Sequence, residues 1–319
     1  MYDVVALGEL LIDFTPAGSS ENGNVLFECN PGGAPANVLA CLAKLNKQTS
    51  FIGKVGDDQF GYFLREVLID NGISTEGLVM DTQVNTTLAF VHLQEDGERS
   101  FSFYRKPGAD TYLKPEEVTD AMLNTRIFHF GSLSLTDEPA RSATIAALRY
   151  AKAKNVLVSY DPNLRPLLWS DLDEAKAQIL WVMDQVDIVK ISGEELVFLT
   201  GCEDIQLGSE KLCQEYGLRM LLVTLGKEGC YYQLGDLSGR VSGFEVEAID
   251  TTGAGDAFLG GMLFQILERD KDLTKWTAED ISTSVQFANA IGALVTTKKG
   301  AIPAMPNRSE IDQLLRRGR

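Results

Sequence analysis

Six short apolar runs, at residues 4–8, 49–55, 127–130, 156–160, 188–191 and 220–224, alternate along most of the chain with stretches of helical character. Strand and helix repeated in this order predict an α/β fold. Parallel neighbours need a crossover connection, and the crossover helices pack back onto the sheet, so the arrangement is a mostly parallel sheet with helices on both faces. Predicted helices lie at 36–45, 257–268 and 281–294, and a short further strand is expected at 246–249.

Two segments break the alternation. Residues 13–31 are polar, glycine-containing and partly alternating. From about Asn85 a second segment reads as two β-rich runs, 87–93 and 99–105, joined by a turn over 94–98 in which Asp96-Gly97 is a strong hairpin signal. Together they are expected to form one accessory β-layer over the sheet, built from separated pieces of chain. No internal repeat or low-complexity linker interrupts the pattern.

With 319 residues, 45% of them apolar and 23% charged, the chain can bury a large core as one domain. A net charge of −16 argues against a nucleic-acid partner, since the one basic cluster is the terminal Arg316-Arg317-Gly318-Arg319. Cys29, Cys41, Cys202, Cys213 and Cys230 are odd in number and lack a Cys-x-x-Cys pair, which fits thiols in a reducing compartment better than a disulfide framework or a zinc site. The first residues carry no basic n-region, and Glu9 and Asp13 interrupt their apolar run. Neither a signal peptide nor a membrane partner is expected, and the cytoplasm is the predicted location. His92 and His129 sit in strand-like runs without a nearby nucleophile motif and read as structural.

The chemistry concentrates in Asp250-Thr251-Thr252-Gly253-Ala254-Gly255-Asp256, where small residues lead into an apolar helix. The unpaired N–H groups of a helix's first turn, with the positive end of its dipole, favour a phosphate or a developing phosphoryl charge. Asp256 on the same turn would repel such a ligand unless it takes the proton of the hydroxyl attacking the phosphorus. A carboxylate that only caps the helix serves a lone Gly-x-Gly-Asp equally well. The helix N-terminus is expected to keep this carboxyl ionised.

Other features converge on it. Gly32-Gly33-Ala34-Pro35-Ala36-Asn37 places an amide at a helix start, either as a cap or as a donor and acceptor for a sugar hydroxyl. Asp161-Pro162-Asn163-Leu164-Arg165, Lys190-Ile191-Ser192-Gly193-Glu194-Glu195 and Val223-Thr224-Leu225-Gly226 follow three successive strands. Ligands of open α/β sheets bind beyond the carboxyl ends of strands.

These residues resemble the ribokinase-like, or PfkB, carbohydrate kinases over essentially the whole chain. One signature is Gly32 to Asn37 with Gly53 and Gly56-Asp57-Asp58-Gln59-Phe60-Gly61; the other is Asp250 to Asp256. Within the family, Phe101-Ser102-Phe103-Tyr104-Arg105-Lys106-Pro107-Gly108-Ala109-Asp110 and Asp161 to Arg165 look most like the fructokinases. The resemblance implies a three-layer α/β/α kinase domain spanning 1–319, with a lid of two insertions at about 12–32 and 85–111, and transfer of the γ-phosphoryl group of ATP to the 6-hydroxyl of fructose.

It also implies roles. Asp256 matches the catalytic base, with the amides of Gly253, Ala254 and Gly255 as the anion hole. Asp13, Gly33, Asn37, Arg105, Asp161, Asn163 and Arg165 match sugar-site or lid positions. Lys190, Thr224, Gly226 and Asn289 match the ATP pocket. Magnesium is expected to arrive on ATP with Glu195 acting through water, and Ser192 stands where the family commonly has Asn. Asp250, Thr252 and Gly300 match a potassium-type site. A homodimer joined through the lid is expected.

Rival readings are a related kinase, such as one for 2-keto-3-deoxygluconate, which Arg105 and Arg165 would suit, and a non-catalytic relative binding sugar or protein. A nicotinamide dehydrogenase fits poorly, because Phe258 stands where a third glycine belongs.

Overall fold

The structure is a computed structural model that describes residues 1–93 and 99–317. The Asp96-Gly97 turn and the last two residues of the basic tail lie outside the described residues.

Strands β1 (Tyr2–Leu7), β4 (Thr49–Gly56), β5 (Ile73–Asp81), β8 (Thr125–Gly131), β9 (Leu157–Asp161), β10 (Ile188–Ser192), β11 (Met220–Thr224), β12 (Cys230–Leu234) and β13 (Leu237–Val241) form one sheet. Its order is β13-β12-β11-β10-β9-β8-β1-β4-β5. Pairing is parallel except where β12 returns beside β11 and β13 beside β12. The chain builds outward from β1 to β4 and β5, then restarts at β8 on the other side of β1. The strand order therefore reverses at β1/β8, and a crevice opens there beyond the strands' carboxyl ends.

Strand periodicity places a core on each face. In β1, Val4 and Ala6 join one core while Val5 and Leu7 join the other. The first core is closed by helices α1 (Ala34–Lys44), α2 (Gln59–Asp70), α7 (Ala254–Arg269), α8 (Ala278–Thr296) and α9 (Arg308–Arg317); the second by α3 (Ala140–Ala153), α4 (Leu172–Trp181), α5 (Gly193–Thr200) and α6 (Ile205–Tyr216). The helix α7 is almost wholly buried, which explains its apolar composition on all sides.

The two interruptions of the alternation supply a second sheet. Strands β2 (Leu11–Ser19), β3 (Val25–Gly32), β6 (Leu88–Leu93) and β7 (Arg99–Tyr104) lie in the order β3-β2-β6-β7. Each segment contributes an antiparallel pair, and β2 joins β6 in parallel. Alternation sorts the faces: Leu11, Asp13, Thr15, Glu28, Asn30, Val91 and Phe103 turn toward the crevice. On the opposite face Phe14 stacks on Phe90 with ring centroids 4.7 Å apart and meets Phe60 of α2 edge-on at 5.7 Å.

The strand expected at 246–249 does not form. The N–H groups of Ile249 and Asp250 donate instead to Thr296 O at the end of α8, at 2.7 and 3.1 Å. That attachment carries the chain from the edge strand β13 across to the head of α7.

Candidate active site

A cleft of about 760 Å³ lies between the small sheet and the carboxyl ends of β1 and β8–β10. At its floor the chain turns through Gly253 at φ 75° and enters α7. Any side chain at Gly253 would be strained by that dihedral, and its Cβ would lie 2.5 Å from Ala301 Cβ. A Cβ on Gly255 would lie 2.9 Å from Lys190 Nζ, so glycine here lets an ammonium approach the helix's first turn. Of the three expected anion-hole amides, that of Ala254 already donates to Thr251 O at 3.3 Å.

Asp256, in that first turn, is buried, and its Oδ2 accepts from Asn37 Nδ2 of α1 at 2.8 Å. Asn37 is thus no cap: it lies one turn inside α1 and holds the carboxyl. The expectation that the helix dipole keeps Asp256 ionised throughout is corrected. Burial and the neighbouring Asp161 push its pKa up to about 6, against the pull of Lys190, Asn37 and Arg165.

Lys190 Nζ and Asp161 Oδ2 form a buried ion pair at 2.9 Å beside Asp256. The paired carboxylates hold the Lys190 pKa above its usual value even though burial opposes this. Lys190 lines the cleft, whereas Asp161 does not and acts through it. The turn after β9 is bent by Asn163 at φ 47° and closed by Asn163 N–H on Asp161 Oδ1 at 3.1 Å. It carries Asn163 and Arg165 into the cleft wall. Across the cleft Asp13 is pushed up to about 6 by burial, with Arg165 opposing and Asp250 adding to the shift.

Asp250, Thr252 and Gly300 also come together. Asp250 Oδ1 accepts from the amide and hydroxyl of Thr252, at 3.0 and 2.7 Å, and Oδ2 accepts from Gly300 N–H at 3.0 Å.

Three expected groups lie elsewhere. The Arg105 guanidinium does not line the cleft: it is buried and bonded to Asp110 Oδ2 at 2.7 Å, Leu133 O at 2.8 Å and Thr136 Oγ1 at 2.9 Å. Those neutral and ionic partners engage each of the three nitrogens of a fork that was expected to face sugar or phosphate. Thr224, Gly226 and Asn289 are also outside the lining. Thr224 donates to Ile191 O, and Asn289 Nδ2 donates to Val241 O and Ser242 O at 3.0 and 3.1 Å, fixing the chain that leaves β13. Ser192 and Glu195 form the capping box of α5, and the second oxygen of Glu195 accepts from Leu164 N–H at 2.7 Å. Serine suits that position because its hydroxyl satisfies the Glu195 amide. His129 is buried against Ser159 and kept neutral, its pKa pushed down to about 3.

The model of the pfkB family carbohydrate kinases matches residues 1–308. The chain belongs to this family. It is 46% identical to probable fructokinase-4 of Arabidopsis thaliana over 98% of this chain and 96% of that protein. Among solved structures, the fructokinase of Xylella fastidiosa with bound ATP is 35% identical, with a TM-score of 0.91 over 100% of this chain and 99% of that one. The fructokinase of Vibrio cholerae O395 with fructose, ADP and calcium is 36% identical, with a TM-score of 0.87 over 98% and 99%.

One cleft residue of this carbohydrate kinase is not signalled by any motif. Glu9 follows β1, is buried, and has a pKa pushed up to about 7, mainly by desolvation. Its signal is an acidic residue inside an apolar run.

The raised carboxyls set a pH dependence of stability. Glu9, Asp13 and Asp256 each hold a proton in the folded chain at pH values where the unfolded chain has released it. The folded state then binds more protons, so stability falls as pH rises from about 4.5 through 7. The expected result is a melting temperature that declines over that window without ligand, and declines less in Glu9→Gln. A melting temperature that rises across it would contradict the burial of these groups.

Proposed function

We propose that this chain is a fructokinase, transferring the γ-phosphoryl group of ATP to the 6-hydroxyl of D-fructose to give fructose 6-phosphate and ADP. The observation that carries the reading is Asp256: a buried carboxyl held by Asn37 on the first turn of a helix whose N-terminus faces the same cleft. The relatives favour fructose, being fructokinases at 46% identity across nearly the whole chain. Arg105 is tied into Asp110, which removes one of the two cations that would suit an acidic sugar.

In this reading Asp256, as carboxylate, orients the acceptor hydroxyl and takes its proton. The amides of Gly253 and Gly255 and the ammonium of Lys190 would face the transferring group, whose charge grows on its outer oxygens, with the Ala254 amide joining them on release from Thr251 O. Asp13, Asn163 and Arg165 bind sugar hydroxyls from the walls. The residues at the ends of β10 and β11 and on α8 would hold the nucleotide beside the Asp250–Asp256 turn. Magnesium, bound mainly by phosphates and water, would neutralise charge between the phosphates. Glu195 fits a water-mediated contact, since each of its oxygens is engaged by one backbone N–H and keeps a second lone pair. Asp250, Thr252 and Gly300 would set a potassium-type ion beneath the anion-binding turn.

The small sheet would act as a lid over a single kinase domain, excluding water that competes for the phosphoryl group. Val25, Leu26, Phe27 and Tyr104 are exposed on it and suit pairing with a second copy in a homodimer. A cytoplasmic location accords with five free thiols; among the described residues no helix is long and apolar enough to cross a membrane.

The test is ADP release with Mg-ATP, comparing fructose, ribose, glucose, mannose and 2-keto-3-deoxygluconate. Fructose should give the highest kcat/KM. Preference for the keto-deoxy acid would replace the sugar while keeping the chemistry, and no turnover with any sugar would overturn the kinase reading.

A further inference from the structure

The chain leaves the large sheet for the small one at Gly8-Glu9-Leu10 and returns at Gly32-Gly33-Ala34. These two passages touch: a Cβ on Gly33, whose φ is 125°, would lie 2.4 Å from Glu9 O. The Glu9 side chain spans them. Its Oε1 accepts from Ala34 N–H at 2.9 Å, and its Oε2 is buried without a hydrogen-bond partner among the described residues. Ala34 is the first residue of α1, and Asn37 follows one turn later, donating to Asp256.

We propose that Glu9 is a positioning residue for Asp256: by accepting from Ala34 it fixes the first turn of α1, and with it the Asn37 amide that holds the carboxyl. The inference rests on reading Asp256 as the base. A first-turn N–H has no acceptor within its own helix, so a buried carboxyl oxygen supplies what the helix cannot. An ionised carboxylate also complements the helix dipole. The second excursion is closed similarly. Asp110 accepts from Thr87 just before β6 and from Arg105 just after β7. Asp110 and Arg105 are the charged groups that act on Glu9, with opposite signs. The roots of the two excursions are joined directly where Ile12 N–H donates to Thr87 O at 3.1 Å, and Glu9 leads from the first of them to the reacting carboxyl.

The experiment follows the Asp256 carboxyl by carbon-13 titration, with kcat, both KM values and melting temperature measured alongside, in the full-length chain. Glu9→Ala should lower kcat by about 10- to 10²-fold, as expected for a misplaced catalytic group, with KM for ATP little changed. The Asp256 titration should move upward, because a weakened bond from Asn37 no longer favours the ionised form. Glu9→Gln, whose amide oxygen still accepts from Ala34, should restore both. Wild-type kcat and Asp256 titration in Glu9→Ala, with only the melting temperature lowered, would overturn the proposal, as would failure of Glu9→Gln to restore them. If Glu9→Ala does not fold, Ala34→Pro removes the donor from the other side at a position where proline is tolerated. It should move the Asp256 titration in the same direction, and an unmoved titration would count against the link. The titration reports on Asp256 whichever sugar is used, so normal turnover by Asp256→Asn would remove the base reading and leave the positioning link to be decided by the titration.

Discussion

Asp256→Asn lowers kcat by about 10²- to 10⁴-fold, the range for loss of a general base, while KM for sugar and ATP changes little. The amide is nearly the same size as the carboxyl and still offers an oxygen to Asn37, so the cleft keeps its shape. It has no basic lone pair to take the acceptor proton. Since burial and Asp161 push the Asp256 pKa up to about 6, the wild-type rate should rise with pH through that region as the carboxylate forms. That limb should be absent from the residual activity of the variant. Wild-type-like turnover, or an acid limb that survives the substitution unchanged, would take the role away from Asp256.

Lys190→Met should destabilise the fold by about 3–5 kcal/mol, the usual cost of stranding one member of a buried ion pair. Asp161 is 2% exposed in its side chain and would be left beside Asp256 with no ammonium between them. The effect should appear as a lowered urea midpoint. Adding Asp161→Asn should recover much of the loss, because the stranded charge is then gone. The acid limb of kcat should also move upward in Lys190→Met, since the cation that favours ionised Asp256 is missing. An unchanged midpoint would mean that the pair contributes nothing to the fold, and an unmoved limb that Lys190 does not govern the base.

The sequence carried six of the nine described strands of the central sheet, because those six are short apolar runs separated by helices. Strands β5, β12 and β13 were not expected, and β5 and β13 are partly exposed edge strands without a continuous apolar run. The sequence missed the 246–249 outcome for a physical reason: Val246 and Ile249 have strand character, but the N–H groups of Ile249 and Asp250 pair with the end of α8 instead of a strand edge. At the site, the turn that brings Gly253, Gly255 and Asp256 to a helix start was legible in the run Asp250 to Asp256, whereas the bond from Asn37 to Asp256 joins residues far apart in the chain and was not. The bonding of Arg105 was not legible, because an arginine's charge is visible in sequence while which groups it meets, here Asp110 and the Leu133 carbonyl beyond another strand end, is set by the fold. The Asp256 pKa was misjudged for the same reason: the dipole is local, whereas Asp161 and the burial are products of the fold. Glu9 stood out only as a break in an apolar run, because a single acid near the start of a chain has no motif around it, and only its bond to Ala34 gives it a role.

The order β3-β2-β6-β7 puts β2 and β6, which come from different excursions, side by side at the centre of the small sheet. Either hairpin alone would be a two-stranded ribbon with an open edge, a marginal structure in water. The two hairpins therefore depend on each other: a chimera that borrows one from a relative and keeps the other must preserve the Ile12–Phe14 and Leu88–Phe90 register or lose both. Along a growing chain the same layout means that the first hairpin, complete by Gly32, waits for more than fifty further residues before its partner strand β6 exists.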